Sequence, residues 1–212
     1  MWRFPPFQQF LADLLDCDQV GEVLLYDNDP SKTPEQLNLG HSRLRYYNFG
    51  ENKFVNPPWN WGVRGSINDQ VLILNDDVLF DFKVFQRVKS LSDPNAGVVG
   101  ICPGRPEFNQ PEFTNGNIDL IPWRTGMHTF GFGCMMFVNK KWYRPIPAGL
   151  DIYYGDNWIF DTCLRSGQTN YMITNMFHYT PYATTTKDRQ LVGSRLDIES
   201  EIYRRELAKF GN

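Results

Sequence analysis

Six short apolar runs punctuate the chain: "EVLLYDND" (22–29), "LRYYNF" (44–49), "VLIL" (71–74), "GVVGIC" (97–102), "CMMFV" (134–138) and "YMIT" (171–174). Most are continuously apolar, the pattern of strands covered on both faces. Helix-like stretches separate them. Phe7, Phe10, Leu11, Leu14 and Leu15 mark one face of a helix opened by Pro5 and Pro6 and predicted over about 6–16. Further helices are predicted over 60–69, 80–91, 155–166 and 191–210. Alternating strands and helices in the first half imply an α/β fold, with an open, mostly parallel central sheet flanked by helices.

A chain of 212 residues buries most of the surface that its unfolded form exposes. One domain over 1–212 is therefore expected, either alone or as the amino-terminal domain of a larger protein. The 21 Lys and Arg against 24 Asp and Glu form no basic block, which argues against nucleic acid as a partner. Cys17, Cys102, Cys134 and Cys163 are far apart and make no CxxC pair, so they read as reduced thiols and not as a disulfide or zinc framework. The opening "MWRFPPFQQF" is not a secretory leader, and no window approaches a membrane span. A soluble, cytoplasmic protein without a membrane segment is the expectation.

Two apolar runs end in acids. Asp27, Asn28 and Asp29 follow "VLLY", and Asn75, Asp76 and Asp77 follow "VLIL". In an open parallel α/β sheet, ligands bind beyond the carboxyl ends of the strands, so both sets face one crevice if the strands are neighbours. Clustered carboxylates repel unless a hard divalent cation lies between them, which makes the second set a candidate metal site. Asp and Asn after a strand also cap helices and form turns. His178, just beyond "YMIT", stands where an imidazole can complete the coordination. Residues 103–130 are rich in Pro, Gly and Asn, and an irregular insert of that length usually carries function.

The order of a first helix, "EVLLYDND", "WNWGVRGSINDQVLILNDDV", "GFGCMMFVNKKW", "YGDNWIFDTCLRSG" and "NMFHYTP" resembles the GT-A fold glycosyltransferases of the family 2-like kind. More narrowly, it resembles the amino-terminal glycosyltransferase domains of chlorella-virus capsid-glycan synthesis, which would place the protein in the host cytoplasm. The resemblance covers nearly the whole chain and implies a metal-dependent transferase. Such an enzyme moves a hexose or deoxyhexose, of the glucose or rhamnose type, from a UDP-sugar to a glycan or glycoprotein acceptor.

By that resemblance Asp77 is the principal metal ligand with His178 beside it, Asp76 meets the ribose or a metal-bound water, and Asn75 stands at the first position of the DxD motif. A histidine among oxygen ligands suits Mn2+ better than Mg2+, which remains an alternative. Asp27 corresponds to the carboxylate that accepts the uracil imide N–H, with Asn28 or Asp29 in that role if the register slips by one. Asn60, Gly62 and Arg64 fall on the helix near the nucleotide, with Arg64 a phosphate partner or a surface ion pair. Asp156 matches the general base of the "ED" pair, and Asp151 competes with it. Trp123, Arg124 and His128, with "GFG" at 131–133, form a sugar-binding wall, and Lys187 or Arg189 reaches the diphosphate from 180–189. The family opens with an apolar strand ahead of the first helix. Here that helix lies next to Met1, so either a strand is lacking from the sequence or the sheet does without it and Asp27 carries more of the nucleotide. An open strand position also invites pairing with another chain.

Two other readings fit parts of the pattern. One is a non-catalytic carbohydrate-binding or assembly domain of the same fold, suggested by Asn75. The other is a sugar-nucleotide pyrophosphorylase, which lacks its Gly-rich basic opening here.

Overall fold

A computed structural model describes residues 6–29, 31, 40–101, 117–123, 132–180 and 189–210. The helices are α1 (Phe7–Asp16), α2 (Asn56–Gly65), α3 (Lys83–Lys89), α4 (Gly155–Arg165) and α5 (Arg189–Lys209). The strands are β1 (Val23–Asp27), β2 (Leu44–Asn48), β3 (Gln70–Leu74), β4 (Leu79–Phe80), β5 (Ala96–Gly100), β6 (Asp119–Pro122), β7 (Met135–Asn139), β8 (Thr169–Thr174) and β9 (His178–Tyr179).

The α/β class holds, but the sheet is mixed and not mostly parallel. Its five central strands run in the order β3-β7-β5-β8-β6. β7 is antiparallel to both β3 and β5, and β6 is antiparallel to β8, leaving only β5 and β8 parallel in this sheet. β1 and β2 form a separate parallel pair, and β4 pairs antiparallel with β9.

The mixed strand directions have a simple cause. Along β7, Met136 and Val138 enter one core with α4, while Met135 and Phe137 enter the other with α3. Both faces are covered, so the sequence is apolar at every position whichever way the strand runs.

Two helix boundaries also move. α2 starts at Asn56 and carries Pro57 and Pro58 in its first turn, where the missing N–H groups cost nothing. Leu79 and Phe80 are a strand and not a helix start, because they pair with Tyr179 and His178. α3 then opens at Lys83, whose N–H bonds the Asp81 carboxylate at 2.9 Å. Within the insert, Asp119–Pro122 is the edge strand β6, while 103–116 and 124–130 lie outside the described residues.

Candidate active site

β1 and β3 run in the same direction. Glu22, just before β1, ties their starting ends together by accepting from Ser66 Oγ at 3.0 Å and Ile67 N at 2.6 Å. At their finishing ends both acid sets come close enough for the Asp27 charge to act on Asp76. Among the described residues β1 and β3 are not paired to each other, and a cavity lies between them.

Asp27 is buried at the end of β1. Its Oδ2 accepts from Tyr46 Oη at 3.0 Å and its Oδ1 from Asp29 N at 2.9 Å. Asn28 pins the next loop, donating to Phe54 O at 2.6 Å and accepting from Lys53 N at 3.0 Å. Asp29 accepts from Ser31 N and Oγ, at 3.0 and 2.7 Å. These three residues fix a turn around one buried carboxylate.

Asn75 joins the second set to β7 through its N–H, which bonds Cys134 O at 3.0 Å. Burial raises the pKa of Asp76, and Asp27 adds to the rise. Asp77 is 8% exposed. The Cys134 thiol is pushed up to about 12, first by burial and then by the negative charges of Asp77 and Asp156. Both carboxylates therefore converge on Cys134, although they are 79 positions apart in sequence.

Asp156 sits in the first turn of α4. Its Oδ2 accepts from Gly133 N at 3.1 Å and its Oδ1 from Asn157 N at 2.9 Å. Burial nevertheless holds its pKa above the usual aspartate range. The preceding Gly155 is required by close approach, because a Cβ there would lie 2.1 Å from Asn56 Oδ1. The buried Asn56 side chain donates to Leu150 O and Tyr153 O, both at 3.1 Å. The starts of α2 and α4 thus meet at the carboxyl ends of β1 and β3, which brings the positive ends of two helix dipoles there. A Cβ on Gly133 would meet the Trp59 ring at 2.7 Å, which puts Trp59 against the same corner.

His178 is anchored in β9 beside Phe80, three residues after Asp77. It is 7% exposed, and its Nδ1 lies 3.3 Å from Met176 O. Its Nε2 is buried and has no hydrogen-bond partner among the described residues. Burial lowers its pKa, which favours the neutral imidazole that metals bind. Among the described residues no group of three or more His, Cys, Asp or Glu side chains is placed to hold a metal by itself.

Several of the other expected site residues have partners of their own. Asn60 is used up in fastening α2, with its Oδ1 accepting from Tyr143 Oη at 2.7 Å and Ile146 N at 2.8 Å. Gly62 packs against the Tyr26 ring. Arg64 is exposed in the last turn of α2, beside the Glu22 end and so at the opposite end of the strands from the acids. The proline-led start of α2 explains this, since it moves the helix toward the acids and leaves Arg64 at its tail. Asp151 is taken by Arg195 at 2.9 Å and belongs to the loop that Glu199 holds through the Tyr153 N–H at 2.7 Å. Trp123 packs edge-on against Phe160 at 4.7 Å. Arg124, His128, Gly131 and Lys187, and the side chain of Arg189, are outside the described residues.

Asn56, Trp59, Tyr46 and Cys134 stand at this corner without belonging to the acid sets that the sequence displays. The "NPPW" opening of α2 was the available signal for the first two.

No family model and no curated protein matches the chain. Among solved structures it is similar to the mannosyltransferase PcManGT from Pyrobaculum calidifontis in complex with GDP-Man and Mn2+, with a TM-score of 0.60 and 16% identity. The chain has a GT-A-like fold. The likeness covers 98% of this chain and 61% of the other, so the chain spans about three-fifths of that structure's length. In the GT-A-like frame the convergence of Asp76, Asp77, Asp156 and Cys134 occupies one end of the strands, where ligands of open α/β sheets bind. Among the described residues no helix is long and apolar enough to cross a membrane.

Proposed function

We propose that the protein is a metal-dependent glycosyltransferase that takes a hexose or deoxyhexose from a nucleoside-diphosphate sugar, UDP-linked by preference, and passes it to a glycan or glycoprotein. The observation that carries this reading is the meeting of Asp77 and Asp156 at Cys134, beside two helix starts. Acids there repel without a cation, and helix N-termini favour the phosphates that would bring one.

The residues fit a divalent ion such as Mn2+. Asp77 would supply an oxygen, and the orphaned Nε2 of His178 a nitrogen. Among the described residues no third protein ligand joins them, so the remaining positions would fall to oxygens of the donor. When bound, such an ion stabilises the charge that grows on the departing diphosphate. Asp156, with its raised pKa and fixed orientation, is the group that takes the acceptor hydroxyl proton. Trp59 offers an aromatic face to the sugar in the same corner. The viral capsid glycan is the acceptor context that the sequence resemblance supplies, with the host cytoplasm as its compartment.

Product release from UDP-, GDP- and dTDP-sugars, with and without Mn2+, tests the reading. Absence of both binding and turnover for every donor would leave the non-catalytic carbohydrate-binding domain.

A further inference from the structure

Asp156 follows Gly155 at the head of α4, and the residue before them, Tyr154, has a left-handed backbone at φ 59°. No side chain caps this helix start. A left-handed residue that carries a Cβ is strained, and it persists only where its surroundings hold it. Among the described residues the non-glycine residues with positive φ are Phe54, Tyr154 and Asn175. Phe54 and Tyr154 lie just ahead of α2 and α4, the two helices whose starts meet at the candidate site.

Both strained residues are held from one helix, α5. Glu199 Oε2 accepts from Ile152 N at 3.1 Å and from Tyr153 N at 2.7 Å. The Tyr203 ring stacks on Tyr154 at 5.0 Å, and its hydroxyl bonds Asp161 of α4. Arg195 bonds Asp151 Oδ2 at 2.9 Å and lays its guanidinium 4.1 Å from the centre of the Phe54 ring. Arg195, Glu199 and Tyr203 recur at helical spacing, so one face of α5 makes all these contacts. Asp151 O closes the frame by accepting from Val55 N at 3.0 Å and Asn56 N at 2.9 Å. The Phe54 carbonyl in turn accepts from Asn28, next to Asp27.

Glu199 is 2% exposed, with Arg195 at 3.9 Å. Burial pushes its pKa up, and the N–H groups of 151–153 work against that rise. A charged acceptor makes stronger bonds than a neutral one, and a single oxygen shared by two successive N–H groups sets the direction of the backbone between them. Direction matters to a proton acceptor, because a displacement of about 1 Å can slow a reaction about 100-fold.

We infer that Glu199 is a positioning residue for Asp156. Through the N–H groups of Ile152 and Tyr153 it fixes the left-handed turn at Tyr154, and with it the angle at which Asp156 meets the acceptor hydroxyl. Arg195 extends the same brace through Phe54 to the turn that carries Asp27. Neither side chain touches the reacting atoms in this arrangement; both act through the loops ahead of α2 and α4. The inference rests on the transferase reading, in which Asp156 takes the proton.

The test is steady-state release of UDP from UDP-glucose with Mn2+ present and water as acceptor, or the same measurement with whichever UDP-, GDP- or dTDP-sugar the wild type turns over fastest. Glu199→Ala is expected to lower kcat about 100-fold and to change the donor KM less than about threefold. Glu199→Gln keeps one accepting oxygen without the charge and should fall between, at about 10-fold. Beside Asp156→Asn, neither substitution should lower kcat further, because no base is left to misplace. A brace that serves the fold alone lowers both backgrounds equally or moves KM with kcat, and either result overturns the proposal. Where Asp156→Asn leaves no residual turnover, the split between kcat and KM decides. Should Glu199→Ala not fold, Glu199→Gln and Arg195→Met, the latter at a half-buried position, carry the same test with losses of about 10-fold. Unchanged kcat in those variants refutes the brace. A wild type that turns over no donor removes the transferase reading and this inference with it, whereas an active wild type with equally active variants removes this inference alone.

Discussion

The two ends of β1 and β3 treat their acids in opposite ways. At the starting end, burial would raise the Glu22 pKa, but bonds from Ile67 N, Ser66 Oγ and Arg45 outweigh it and the net shift is downward. At the finishing end burial prevails, and Asp76 and Asp156 both rise. A lowered carboxylate adds stability above its ordinary range and loses it as pH falls through the lowered value. A raised one carries a penalty that appears as pH climbs past the ordinary range toward the raised value. The first end fastens the fold. The second gives up stability to hold charge together, the pattern that the proposed site requires.

The sharpest way to break this contrast is Asp77→Asn. Transfer from the best donor is expected to fall by about 1,000-fold or more with Mn2+ present, while the urea midpoint stays level or rises. Unchanged turnover would place Asp77 among the structural acids. Gly155→Ala comes next. Its Cβ runs into the Asn56 amide, and a cost of about 3 kcal/mol is expected in urea unfolding. Adding Asn56→Ala should recover part of that loss, because the clash is gone although the bonds to Leu150 and Tyr153 are gone too. Strictly additive losses would show that the two helix starts do not bear on each other.

Much of this architecture is legible in the sequence, for identifiable reasons. The α1 face at Phe7, Phe10, Leu11, Leu14 and Leu15 is buried as its spacing predicts. The six apolar runs all contain strands, because burial writes itself directly into composition. Strand direction does not, and β7 reads the same inserted antiparallel between β3 and β5 as it would parallel. At the site, the acids after β1 and β3 are visible because they interrupt apolar runs. Asn56 and Cys134 are not, since a buried Asn that bridges to Leu150 and a thiol between two carboxylates acquire meaning only from contacts distant in sequence. Arg64 misleads for a related reason: its distance from the acids depends on where α2 begins, and two prolines move that start by four residues.

The remaining two tests set the ends against each other in pH. Glu22→Gln removes the charge that Arg45 meets at 2.9 Å and should cost about 1–2 kcal/mol near neutrality. That cost should fade as pH falls through the lowered Glu22 value, below which the carboxylate is protonated in folded and unfolded chains alike.

Asp76→Asn is expected to do the reverse on a smaller scale. The amide occupies nearly the same volume and carries no charge to desolvate, so near neutrality the unliganded variant should be more stable, by no more than about 1 kcal/mol. Lowering the pH through the ordinary aspartate range should erase the gain, since Asp76 is then neutral in both folded and unfolded chains. Paired urea titrations across pH 3 to 8, on the order of ten points each, show the two differences shrinking together toward acid from opposite signs. If Asp76→Asn instead loses stability near neutrality, its charge is compensated in the free protein as Glu22 is, and the finishing end is a fastening too.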